Sequence, residues 1–301
     1  MKISRRLFLK VAAGMAAAAA VGVPASRAHR PREGLAAEVP LPARPAGQAG
    51  PSRRWVMVVD LAKCDGCREC TRACTAMHRV PPGQEWIRVY EMRDESTGLA
   101  YWLPRPCMQC DNPPCVKVCP VSATWKREDG IVMQDTSRCI GCRYCIAACP
   151  YQARGFNWVE PAATPERTGE PYDPEWNRVH FRGTTEKCIF CPALIKEGKL
   201  PACVAACPMG ALYFGDRVED AVTNSQGETV RFSALVIEQA GYRLLEELGT
   251  EPRVYYLPPR KPQYPPPPPE EPESAARAGR AAIPAPAVPP KRIATAGGVR
   301  R

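Results

Sequence analysis

Hydrophobic and polar positions divide the chain into an apolar start, a middle of short strand-like runs, and an end with almost no periodicity. The first apolar run, Val11 to Val23, is 13 residues long, carries no charge and follows Ser4-Arg5-Arg6-Leu7-Phe8-Leu9-Lys10. It is too short to span a bilayer. Residues 29–54 lose the pattern; rich in Pro, Ala, Gly and Arg, they read as a linker without a packed structure. Trp55 to Leu61 predicts a strand. Trp86-Ile87-Arg88-Val89-Tyr90 predicts another, and Ser96-Thr97-Gly98 a turn, which together make a hairpin. Thr124 to Met133 predicts a second hairpin turning at Asp129-Gly130. Residues 158–177, with scattered Pro and Gly, predict an irregular insertion. A helical period is clear only late in the chain. Ser233 reads as an N-cap, Ile237, Ala240, Gly241, Leu244, Leu245 and Leu248 share one face, and Gly249 is a stop. This predicts a C-terminal helix packed across the core, followed by an extended run from Arg253 to Leu257. From Pro258 the chain is proline-rich, with Pro265 to Pro269 unbroken, and predicts polyproline II or disorder.

Cysteine content changes this picture. The 301 residues include 16 cysteines. They call for either a disulfide framework or metal ligation. Cysteines two residues apart pair poorly with each other but converge well on a metal, so ligation is the reading adopted. Charge changes the picture less. The overall +10 divides unevenly: residues 1–54 carry ten Lys/Arg against two Asp/Glu, residues 260–301 eight against three, and the segment between is net −3. The basic excess belongs to the two ends, which removes the main support for nucleic-acid binding.

The cysteines fall into four runs: Cys64-x2-Cys67-x2-Cys70-x3-Cys74; Cys107-x2-Cys110-x4-Cys115-x3-Cys119-Pro; Cys139-x2-Cys142-x2-Cys145-x3-Cys149-Pro; and Cys188-x2-Cys191-x11-Cys203-x3-Cys207-Pro. C-x2-C-x2-C-x3-C-P is the bacterial ferredoxin run for [4Fe–4S] clusters, whose fourth cysteine serves a different cluster from the first three. Zinc sites favour two C-x2-C pairs and give no reason for a third cysteine nearby or a following proline. Sixteen cysteines match four clusters with none left over. After the last cysteine, C-P-x-x-A recurs at Cys119–Ala123, Cys149–Ala153 and Cys207–Ala211, an internal repeat in which Pro ends a short helix. Gly66 and Gly141 supply the backbone freedom of a cluster loop. His78, close to the first run, reads as an ordinary surface or packing histidine rather than a ligand or proton site. Lys63, Lys117, Arg143 and Lys187 lie near cysteines and read equally as charges that raise cluster potentials or as plain surface charges.

Two resemblances follow. Ser-Arg-Arg-x-Phe-Leu-Lys and the uncharged run after it resemble a twin-arginine signal over residues 1–28, with cleavage expected after Ala28 or Ala25. That resemblance implies export of a folded protein by the twin-arginine translocase, with clusters inserted before the oxidising compartment is reached. Residues 55–257 resemble the four-cluster ferredoxin subunits of molybdopterin oxidoreductase complexes, of the polysulfide, tetrathionate and dimethyl sulfoxide reductase type. The words that carry this are Trp102-Leu103-Pro104-Arg105-Pro106-Cys107-Met108-Gln109-Cys110, Lys117-Val118-Cys119-Pro120, Arg138 to Cys145, and Leu248 to Tyr256. The resemblance implies an α+β fold of two tandem bacterial-ferredoxin-like two-cluster modules with hairpin insertions and a C-terminal helix. The second and third runs form an inserted inner module, about 101–158, and residues 258–301 a proline-rich disordered tail. It also implies the ligand sets: Cys64, Cys67, Cys70 with Cys207; Cys188, Cys191, Cys203 with Cys74; Cys107, Cys110, Cys115 with Cys149; Cys139, Cys142, Cys145 with Cys119.

The expected function is non-catalytic electron transfer through four [4Fe–4S] clusters. The expected partners are a polytopic quinone-reactive membrane subunit and a molybdopterin catalytic subunit or other redox subunit, on the exported side of the cytoplasmic membrane and peripheral through those partners. A free-standing exported ferredoxin between soluble enzymes is the alternative. Catalysis at an open cluster iron is a third reading, which sixteen cysteines for sixteen ligand positions oppose. Only three histidines, no C-x-x-C-H haem site and no nucleotide-binding glycine loop occur.

Overall fold

The computed structural model describes Pro40, residues 53–93, Gly98 and residues 100–259. The expected signal, nearly all of the linker and the tail beyond Pro259 lie outside the described residues, as does the turn at Ser96-Thr97. In chain order the elements are β1 (Trp55–Asp60), α1 (Glu69–His78), β2 (Arg88–Arg93), β3 (Ala100–Arg105), α2 (Pro114–Lys117), β4 (Thr124–Lys126), β5 (Val132–Gln134), α3 (Tyr144–Ala147) and β6 (Gly155–Phe156). There follow α4 (Pro165–Thr168), β7 (Thr185–Glu186), α5 (Pro192–Lys196), α6 (Ala202–Ala205), β8 (Leu212–Asp216), β9 (Ala221–Asn224), β10 (Thr229–Arg231), α7 (Phe232–Glu238) and β11 (Val254–Leu257).

One five-stranded sheet, in the order β10-β9-β8-β1-β11, forms a wall beside the cysteine runs. β1 runs parallel to β11 and antiparallel to β8. Its continuous apolar run is explained by burial on both faces. Met57 and Val59 point, with Phe214 and Tyr256, into the core that contains seven of the buried cysteines. Val56 and Val58 point the other way, with Tyr213, Val222 and Phe232. β2 and β3 pair antiparallel, and so do β4 and β5 across Asp129-Gly130.

The C-terminal helix departs from expectation in length and in place. α7 ends at Glu238 rather than near Leu248. Its Phe232, Leu235 and Val236 cover the face of the sheet away from the cysteine core. Ser233 is not the N-cap, because Arg231 holds that position. Asp220 receives instead the Ser233 amide at 2.6 Å and its hydroxyl at 2.7 Å. The helix stops because Ala240 turns left-handed, with the Gly241 amide closing back on the Val236 carbonyl at 2.7 Å. The next residue, Tyr242, then pairs its backbone with Tyr256 of β11 through bonds of 2.9 and 2.8 Å. Extending the sheet edge has won over continuing a helical period, and Ile237, Leu245 and Leu248 are left exposed.

Arg253, at the start of β11, ties the sheet to the second cysteine run. It is 2% exposed. Its Nε donates to Asp111 Oδ1 at 2.7 Å, and its Nη1 donates to the Asp129 carbonyl at 2.9 Å. Lys126 shares Asp111 at 2.7 Å. Arg253→Met is expected to lower stability by about 3 kcal/mol, because a buried pair loses one partner. The check is the temperature at which the cluster absorbance is lost.

Candidate iron–sulfur centres

All sixteen cysteines are free. The structure gathers them into four quartets, each drawing on two runs. Quartet I is Cys64, Cys67, Cys70 and Cys207, lining one cavity. Quartet II is Cys74, Cys188, Cys191 and Cys203, mutual neighbours in a fully buried group. Quartet III is Cys107, Cys110, Cys115 and Cys149, lining a second, largely apolar cavity. Quartet IV is Cys119, Cys139, Cys142 and Cys145. Among the described residues no group of three or more His, Cys, Asp or Glu side chains is arranged to hold a single metal ion.

Short helices make the exchange. In α1, Cys70 and Cys74 are both buried one turn apart, and the first faces quartet I while the second faces quartet II. The same four-residue step carries Cys115 and Cys119 to quartets III and IV, Cys145 and Cys149 to IV and III, and Cys203 and Cys207 to II and I.

The C-x2-C loops share one backbone device. The residue before the second cysteine has positive φ in all four: Gly66 76°, Gln109 48°, Gly141 70° and Phe190 61°. The glycines stand where something leans on the loop. A Cβ on Gly66 would lie 2.3 Å from the Trp102 ring, and one on Gly141 would lie 2.1 Å from the Gly183 carbonyl oxygen. The other two loops bear a left-handed cost of about 1–2 kcal/mol each and offset it with the side chain. Gln109, fully buried, donates to the Cys188 carbonyl at 2.8 Å and accepts from the Val132 amide at 2.8 Å. Phe190 packs edge-on against Phe214.

Backbone amides and hydroxyls reach many of the sulfurs, among them the Gly66 amide at Cys64, the Phe190 amide at Cys188 and the Ala202 amide at Cys191. The Ala211 amide donates to Cys207 Sγ at 3.3 Å, and the Thr185 hydroxyl lies 3.6 Å from both Cys139 and Cys145 Sγ. Burial, reinforced by neighbouring cysteines, pushes the Cys70, Cys110 and Cys191 thiols up to about 12 and Cys188 to about 11. Thiolates at these depths need a bound cation to exist. Apolar walls, four free sulfurs per cavity and loops that approach closely fit an iron–sulfur cube. Bound there, a [4Fe–4S] cluster supplies one-electron transfer at a potential set by its surroundings.

The quartets stand in the order I, II, III, IV. Cys70 of I neighbours Cys74 and Cys203 of II. Cys188 of II neighbours Cys107 of III. Thr124 and Gln134, beside quartet IV, bond to Arg154, which lines quartet III. The ends of the series lie nearest solvent: Cys142 of IV is exposed, and Cys64 and Cys67 of I are half-buried.

Of the four basic residues expected near cysteines, Lys117 and Arg143 are exposed, and Lys63 pairs with Glu228 at 3.2 Å. Lys187 is fully buried, its Nζ held by the Val132 carbonyl and by the Cys188 carbonyl at 2.9 Å. His78 is not at the surface. It is 2% exposed, with Nδ1 2.7 Å from the Trp176 carbonyl and Nε2 3.2 Å from Cys191 Sγ. The carbonyl can only accept, so Nδ1 carries a proton, and burial lowers the pKa of the ring to about 4. The signal was present in the i, i+4 spacing of Cys74 and His78 on one helix face. His180 was also missed; it bonds Glu186 at 2.7 Å and the His78 carbonyl at 2.8 Å.

Comparison with known proteins agrees with the geometry. Two family models described as 4Fe-4S dicluster domains match, one over residues 99–165 and the other over 63–123 and 138–211. A selenate reductase subunit of Mesobacillus selenatarsenatis is 44% identical over 220 residues, covering 68% of this chain and 72% of the relative. The menaquinone reductase iron-sulfur cluster-binding subunit of Nitratidesulfovibrio vulgaris is 41% identical over 240 residues, covering 69% and 90%. A tetrathionate reductase subunit of Salmonella typhimurium is 38% identical over 227 residues, covering 73% and 79%. The chain belongs to this family of iron–sulfur electron-transfer subunits of reductase complexes. It carries four [4Fe–4S] clusters on two tandem ferredoxin-like domains of small helices and strands.

Exchange of the fourth cysteine gives a crossed expectation. Cys149→Ser should alter the cluster of the second run and leave that of the third intact, while Cys119→Ser should do the reverse. Iron content and electron paramagnetic resonance of each variant check it, and a change confined to the run that carries the mutation would refute it.

Proposed function

We propose that this subunit relays electrons between a quinone-reactive integral membrane subunit and a molybdopterin catalytic subunit or other redox subunit. The observation that carries the proposal is the serial arrangement of the four quartets, with the two end quartets nearest solvent. In this reading each quartet is the ligand set of one cluster, electrons enter at one end and leave at the other, and no substrate binds. Quartets III and IV form an inner module, about residues 101–158, inserted with its hairpins into the outer module of quartets I and II. The core spans residues 55–257, and residues 258–301 form a proline-rich tail.

The proposed location is the exported side of the cytoplasmic membrane. The twin-arginine-like start at residues 1–28 supports it, and residues 29–54 serve as a linker. Among the described residues no helix is long and apolar enough to cross a membrane, so attachment is assigned to the partners. Relatives at 38–44% identity carry names of subunits of reductases, which favours a complex over a free-standing ferredoxin. Affinity purification from detergent-solubilised membranes should bring down a polytopic membrane subunit and a larger redox subunit. Recovery of the chain alone, soluble and redox-active, would refute the proposal.

A further inference from the structure

Arg154 is a buried cation without a protein anion. It is 6% exposed and forms no ion pair with a carboxylate among the described residues. Its Nη1 donates to Gln134 Oε1 at 2.8 Å and to Thr124 Oγ1 at 3.3 Å, and its Nη2 has no nitrogen or oxygen partner. Two neutral acceptors do not repay the desolvation of a full charge at this depth. The remaining neighbours are sulfurs from two quartets. Burial alone would lower the pKa of the guanidinium, yet Cys115, Cys145 and Cys107 raise it above the ordinary arginine value. Cys107 and Cys115 belong to quartet III and Cys145 to quartet IV. Arg154 itself lines the cavity of quartet III, and its two acceptors line that of quartet IV.

The internal repeat sharpens the point. The residue after each C-P-x-x-A is Thr124, Arg154 or Leu212. In the inner module the first two meet, with Arg154 donating to Thr124 across the space between the clusters. In the outer module the matching position is the buried, apolar Leu212. The charge is therefore a property of one module and not of the repeat. Lys187, a second buried cation, stands between quartets II and III and belongs to a different junction, and Arg253, a third, is paired with Asp111.

We propose that Arg154 is the shared counter-charge of the two inner clusters, stabilising an electron on either and making both easier to reduce than they would be without it. Reduction of a cluster adds one negative charge and no proton, so a fixed positive charge beside both centres favours the reduced form of each. This rests on the ligand sets proposed above, and the Cys119→Ser and Cys149→Ser variants, which assign the signals of the inner pair, test those sets separately.

The test is a potentiometric titration of the cluster-loaded full chain, followed by electron paramagnetic resonance, for the natural protein, Arg154→Gln and Arg154→Lys. In Arg154→Gln the reduced-to-oxidised ratio of both inner clusters should fall at least about tenfold at fixed potential, equivalent to about 59 mV for a one-electron couple. The outer pair should keep its ratios. Arg154→Lys retains the charge and should hold the inner ratios well inside that tenfold range. The proposal fails if Arg154→Gln leaves the potentials unchanged, shifts one inner cluster alone, or shifts all four alike. Should Arg154→Gln lose iron, Arg154→Lys decides: near-natural inner potentials with full iron support the charge, and a tenfold fall refutes it.

Discussion

Buried sulfur has to be neutralised, and the rest of the molecule depends on that requirement. Ten of the sixteen cysteines are buried, where a thiolate has no protein cation close enough to stabilise it except at a few points. Iron supplies the missing charge, and in doing so joins chain segments far apart in sequence. The helices around the quartets are mostly four or five residues long, too short to persist by their own hydrogen bonds. Metal coordination therefore takes the part that packed side chains take in a larger core. The five-stranded sheet is the exception: its outer face has an ordinary apolar core of its own, covered by α7.

The chemistry was legible in the sequence because cysteine spacing encodes it directly. Four runs announced four clusters. The resemblance, rather than the spacing, supplied the pairing of runs that the quartets display. Strands β1 and β11 were legible as apolar runs, and the turn at Asp129-Gly130 as a dipeptide. The long C-terminal helix was not there to be found. Its periodic residues, Ile237, Leu245 and Leu248, are exposed, and a backbone pairing between Tyr242 and Tyr256, distant in sequence, set the chain's course. Local period carries no information about such a partner.

The charged surroundings of the quartets were the least legible part. Lys187 and Arg154 resemble any other basic residue in a one-dimensional reading, and so do Lys117 and Arg143, which are exposed. Burial separates the two pairs, and burial follows from the third dimension. The positive-φ residue of each C-x2-C loop shows the same limit. Glycine at Gly66 and Gly141 advertised the conformation, whereas Gln109 and Phe190 adopt it without advertisement because each has a buried contact to hold it.

The helical step between neighbouring quartets bears on how this chain tolerates change. The gap from third to fourth cysteine is three residues in every run, while the gap from second to third is two, four, two and eleven. The constant gap is one helical turn in α1, about 6 Å of rise at 1.5 Å per residue, and in the other runs it carries the chain from a short helix to just past its end. The variable gap only closes a loop around one centre. Insertions are accordingly free to accumulate on the loop side, where new surface or new contacts can be added. A single residue added between Cys70 and Cys74 in α1 would rotate the fourth sulfur by about 100° and turn it away from its quartet. The chain can thus lengthen and diversify without changing the distance its electrons must cross.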